Sequence, residues 1–86
     1  MALLRLTDDA VFDPDGDDGV ILDTRRGVYF GLNPTATLML HAALRVDTVE
    51  GAVDELRDLV DADPQTLRAG LEALTVQLTE HRLVAR

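Results

Sequence analysis

Residues 19–34 read GVILDTRRGVYFGLNP. Two short apolar runs, Val20 to Leu22 and Val28 to Phe30, flank a tight polar connection that contains Gly27, which is the pattern of a β-hairpin. The hairpin is expected to end at Leu32. Asn33-Pro34 then signals a helix start: Asn supplies a side-chain cap, and proline at the first helical position lacks an N–H that would be orphaned there. Tyr29 and Phe30 are adjacent, so in a strand they point to opposite faces. Phe30, together with Val28, is expected in the core, and Tyr29 must find its contacts elsewhere.

Upstream of the hairpin, ALLRL at 2–6 predicts a short strand with Leu4 and Leu6 on one face. Residues 7–19 read as a polar connector containing Pro14, Gly16 and Gly19, with Val11 and Phe12 anchoring it to the core. Downstream, a first helix is expected over about 34–44. Asp47 with Glu50, or Thr48 as the cap itself, opens a second over 49–61, whose Val49, Ala52, Val53, Leu56 and Val60 keep the helical period. Asp63-Pro64 repeats the cap-plus-proline device and opens a third over 64–80, with Leu67, Leu71, Leu74 and Leu78 as its core stripe. Ala69, Ala73 and Val76 cluster roughly opposite that stripe and Gly70 lies between the two sets, so this side is unusually small and apolar for a surface helix. Strands within 2–6, 19–23 and 28–31, followed by three helices, give an α+β chain that resembles a winged helix-turn-helix.

The 86 residues are read as one domain, 1–86, and a domain this small hides only about 60% of the surface its unfolded chain exposes. Hydrophobic residues make up 47%, enough for a folded globule, and no apolar run approaches bilayer length. The sequence starts without a basic segment and apolar stretch of the secretory kind, so a soluble, cytoplasmic protein away from membranes is expected. There is no Cys, which removes disulfides and thiolate chemistry. A net charge of -8 disfavours nucleic acid and anionic lipid as partners and tolerates a basic or neutral peptide.

Catalytic and metal constellations are weak. In DPDGDDG at 13–19, Asp13, Asp15 and Asp17 occupy the alternate positions that open an EF-hand loop. Asp18 stands where the invariant glycine belongs and Thr24 where the bidentate Glu belongs, which favours a solvated acidic turn. His41 and His81 are forty residues apart, without the partner spacing of a metal site or a general base. The chain has neither Ser nor Cys as a nucleophile, and Thr would need an adjacent base. Neither an enzyme nor a cofactor is expected. DNA binding by the third helix would have to rely on Arg68 and Arg82 against Glu72 and Glu80, too little to supply the phosphate contacts that dominate affinity. A winged-helix regulator of DNA or protein is therefore the runner-up, and a scaffold subunit the third option.

Strand VYFG carries no Pro, Lys or inward charge to protect an outer edge. An open edge beside the small-faced third helix makes a groove in which an extended peptide can add as another strand, dropping alternate side chains into pockets.

The run GVILDTRRGVYFGLNPTATLML, followed by DTVEGAVDELRDLVDADPQTLRAGLEALTVQL, resembles the PqqD-like family, the RiPP recognition elements that bind leader peptides of ribosomally made precursors. The likeness spans about Leu4 to Val84 and is most specific in LDTRRGVYFGLNPTA. Size and that segment are most similar to the small recognition proteins of lasso-peptide biosynthesis, which work beside a separate cysteine (transglutaminase-like) protease and a cyclase. The resemblance implies a three-stranded antiparallel sheet with three helices behind it, and a precursor leader peptide bound between the third strand and the third helix. On this sequence the strand side would be Val28, Tyr29, Phe30 and Gly31. The helix side would run along Leu67, Gly70, Leu71, Ala73 and Leu74.

Overall fold

Three strands precede three helices in the chain: β1 (Ala10–Asp13), β2 (Val20–Asp23), β3 (Val28–Gly31), α1 (Pro34–Arg45), α2 (Val49–Arg57) and α3 (Pro64–Glu80). The computed structural model of the chain describes residues 3–14 and 18–85. The strands form one antiparallel sheet in the order β1-β2-β3. The architecture is thus α+β, as the sequence suggests.

Local chemistry sets the helix starts. The Asn33 side chain accepts the Ala36 N–H at 2.7 Å, Thr48 accepts that of Gly51 at 3.0 Å, and Asp63 accepts that of Thr66 at 2.7 Å. Proline occupies the start of α1 and α3, where its missing N–H has no consequence. Between β2 and β3 the chain turns through Gly27, whose φ of +70° is the left-handed region that favours glycine. Asp23, only 4% exposed, organises this turn by accepting the N–H groups of Arg25 and Arg26 and pairing with the Arg26 side chain at 3.0 Å.

The core lies among the three helices, with Leu40, Leu56, Leu67 and Leu83 fully buried, and the sheet is tied to it through Ile21. Thr37 on α1 makes a second link. Its Oγ1 accepts the Gly19 N–H at 2.9 Å and donates to the Asn33 carbonyl, which fixes the start of β2 against the start of α1.

Two expectations need correction. The first strand is not in 2–6 but at Ala10–Asp13, inside the stretch read as a connector. Residues 3–6 serve another purpose: the Leu3 and Leu4 N–H groups bond to the Val46 and Ala43 carbonyls at the end of α1, and Leu4 is buried among the helices. The carbonyls of the last helical turn lack intrahelical donors, so this apolar segment is held there in preference to the sheet. Leu6 makes only an isolated bridge, to Val84. The second helix stops at Arg57 rather than near 61. Asp58 and Asp61 oppose the negative end of the helix dipole, and the chain leaves through a turn in which the Leu59 and Val60 N–H groups share the Leu56 carbonyl.

Candidate functional site

Hydrogen-bond phase identifies which groups of β3 are free. Pairs across an antiparallel ladder alternate between those that exchange backbone bonds and those that do not. The Leu32 N–H donates to the Gly19 carbonyl at 2.8 Å, which makes Ile21 with Phe30 and Asp23 with Val28 the bonded pairs of the register. Tyr29 and Gly31, opposite Leu22 and Val20, therefore turn their N–H and C=O groups outward. The bond from the Thr24 N–H to the Asp9 carbonyl sets the complementary phase on the other side, so β2 is occupied along both margins. Among the described residues, nothing pairs with the outer margin of β3.

The sheet has a second margin, on β1, and it is defended. The Ala10 N–H is already bonded to the Thr7 carbonyl, and Asp8, Asp9 and Pro14 flank the strand. Charges and proline at an edge discourage strand addition; the β3 margin carries neither. No side chain obstructs Gly31 either, since a Cβ built there would meet open space.

Side chains of β3 divide as the alternation requires. Phe30 is half-buried, and its ring lies 4.6 Å from that of His81 at the end of α3. Tyr29 is 73% exposed on the opposite face, in a cross-strand row with Leu22 and Val11, both also exposed. Val28 is exposed as well, a departure from the core position expected for it; the strand begins at the turn, where no helix covers it.

On α3 the five expected residues separate. Gly70, Leu74 and His81 share one side of the helix by their spacing, and exposed Ala73 lies next to it. At Gly70 a Cβ would sit 2.5 Å from Met39 Cε and 3.0 Å from its Sδ, so glycine here leaves room for the end of the Met39 side chain of α1. This side thus begins against α1 and ends against β3. Leu74 is buried beneath it. Leu67 is fully buried in the core, and Leu71 faces the opposite flank, where it borders an apolar cavity of about 460 Å³ with Leu3, Leu4, Val49 and Val76. Gly70, Ala73 and Leu74 thus lie on or next to the side of α3 that ends at β3, and Gln77 and His81, which were not among the residues expected there, continue it.

Other candidates stay apart. Asp15 and Asp17 of the acidic stretch lie outside the described residues, and no cluster of three metal-ligating side chains occurs among the described ones. Arg68, the main basic group on α3, is 3.6 Å from Glu50. No helix is long and apolar enough, among the described residues, to cross a membrane.

The family model for PqqD, the coenzyme PQQ synthesis protein D, matches residues 18–84, which span β2, β3 and all three helices. The chain belongs to the PqqD family. Two solved structures share its fold. Lasso peptide synthetase B1 complexed with the leader peptide superposes with a TM-score of 0.84 at 24% identity, covering 99% of this chain and 100% of that one. TbiB1 in complex with the TbiA(beta) leader peptide gives 0.79 at 22% identity, covering 93% of each chain. No curated protein matches the sequence.

Proposed function

We propose that this PqqD-family chain is a non-catalytic recognition domain for the leader segment of a ribosomally synthesised precursor peptide. The leader adds as a fourth strand on the outer margin of β3, in the groove beside α3, and is presented to a separate cysteine (transglutaminase-like) protease of a cytoplasmic lasso-peptide pathway, in which the cyclase is a further partner. The observation that carries this reading is the outward set of Tyr29 and Gly31 backbone groups beside the small side of α3. The two leader-bound structures of the same fold support it.

The energetics suffice without covalent chemistry. Ordering a flexible peptide costs roughly 2–5 kcal/mol or more. Four outward groups can make up to four strand bonds of about 0.5–1.5 kcal/mol each, and each large side chain buried against Leu74, Ala73 and Phe30 adds about 1.5–3 kcal/mol. Binding would then act by tethering, raising the concentration of the precursor at the enzyme that cuts it.

Calorimetric titration with the leader of the precursor encoded beside the gene tests this. Saturable binding at micromolar concentration is expected. Absence of heat and of any amide shift at high micromolar peptide would refute the reading. DNA recognition is disfavoured because Arg68 is engaged by Glu50, and a gel shift at low salt is expected to show no complex.

A further inference from the structure

Beyond the turn end of β3 lies a polar cavity of about 370 Å³ bordered by Arg25, Arg26 and Arg82 together with Asp9, Asp23 and Glu80. Three of the eight basic residues of a chain with a net charge of -8 meet here. Arg26 is already engaged: its Nε lies 3.0 Å from Asp23 Oδ2, and its Nη2 donates to the His81 carbonyl at 2.6 Å. Asp23 is satisfied in the same turn. The guanidinium groups of Arg25 and Arg82 differ. Both residues are exposed, neither side chain has a hydrogen-bond or ion-pair partner among the described residues, and Asp9 and Glu80 border the cavity outside ion-pair distance of them.

The backbone of Arg82 supplies an independent observation. Its φ is +58°, and the Leu83 N–H reaches back to the Leu78 carbonyl, the bond that closes a helix through a left-handed residue. Glycine is the residue that fits such a position without strain. A long cationic side chain stands there instead and lines this cavity, an outlier of the kind that accompanies a binding role. The cavity runs from Thr7 and Asp9 beside β1 to the turn that leads into β3, which it meets through Arg25 and Arg26. A chain paired opposite Tyr29 advances roughly 3.3 Å per residue, and passes Val28 and Gly27 toward the turn within about two or three residues.

We infer that Arg25 and Arg82 form a carboxylate subsite for an Asp or Glu side chain of the bound peptide, two or three positions beyond the residue opposite Tyr29. Paired guanidinium forks match a carboxylate in shape and charge, and elsewhere the acidic surface repels one. The inference rests on the strand-addition reading and extends it from binding to sequence selectivity.

The test is selection from a random-peptide display library on the wild-type protein and on the Arg25→Gln/Arg82→Gln double variant. Selected peptides are then titrated with observation of the Tyr29 and Gly31 amides. Wild type is expected to enrich Asp or Glu at one fixed offset from the apolar anchors, and the double variant to keep the anchors and lose the acidic preference. Replacing that acid by its amide should weaken wild-type binding about five-fold at low salt, less at high salt, and leave the double variant unaffected. Arg82→Gly, which also relieves the left-handed backbone, should fold at least as stably and show half of the effect on a logarithmic scale. Apolar anchors without an acidic preference would overturn the subsite alone. Selected peptides that leave the Tyr29 and Gly31 amides unmoved, or failure to select any binder, would overturn strand addition and the subsite with it.

Discussion

The ring of Phe30 lies 4.6 Å from that of His81, tilted by 43°. With the bond from Arg26 to the His81 carbonyl, this contact fastens the third strand and the turn before it to the residue that ends α3. The groove margin is thereby held in place before any peptide arrives, and less ordering cost falls on binding. Phe30→Leu keeps most of the apolar volume and removes the ring pair. It is expected to cost about 1 kcal/mol and to lower Tm by about 4–8 °C in thermal unfolding.

Proline distinguishes the two sides of β3. At position 29 it deletes an N–H that points outward, so Tyr29→Pro should fold, because proline is tolerated on an edge strand whose N–H faces away from the sheet. At position 30 it deletes a ladder bond to Ile21, and Phe30→Pro should be strongly destabilised, by about 3 kcal/mol or more. Circular dichroism and peptide titration read both properties. Tyr29→Pro is predicted to keep its spectrum and lose about ten-fold or more in affinity through the missing bond and ring.

The small side of α3 can be crowded without touching the core at Ala73 but not at Gly70. Ala73 is exposed, so Ala73→Arg should leave the urea midpoint nearly unchanged and weaken peptide binding. Gly70 packs on Met39, so Gly70→Arg should separate α1 from α3 and destabilise the fold by about 1–3 kcal/mol. Urea unfolding of the two variants side by side distinguishes these outcomes.

The cap of α3 carries a pH signature. The Thr66 backbone N–H, donated at 2.7 Å, is the main cause that holds the Asp63 carboxyl below its ordinary value of 3.8. A lowered folded-state pKa means that this contribution to stability is fully present above the ordinary carboxylate range and is lost as pH falls through the lowered value. Asp63→Asn keeps a capping oxygen without the charge. The difference in urea midpoint between wild type and Asp63→Asn should therefore be larger at neutral pH than in acid, and shrink as Asp63 protonates.

Much of this was legible in GVILDTRRGVYFGLNP, because turn residues, alternating strands, the Asn33 cap and Pro34 are all local signals. The same holds for Asp63-Pro64. The first strand was not. AVFD is four residues long between acidic flanks, while ALLRL has the stronger apolar pattern and is drawn away by the unsatisfied carbonyls at the end of α1, a contact far apart in sequence. The resemblance put Leu67 and Leu71 beside the peptide, whereas helical periodicity puts both in the core stripe, where they are buried. Periodicity fixes which residues share a side and leaves open which neighbour that side meets. The left-handed backbone at Arg82 was hidden for a related reason, since no glycine marks the end of α3.

Residue-resolved amide hydrogen exchange, with and without saturating leader peptide, addresses the free margin of β3 most directly. In the unbound protein the Val28 and Phe30 amides should exchange slowly and those of Tyr29 and Gly31 fast; the peptide should slow Tyr29 and Gly31 by an order of magnitude or more. If a bound leader protects other amides and leaves those two as fast as before, the peptide lies somewhere else on the molecule.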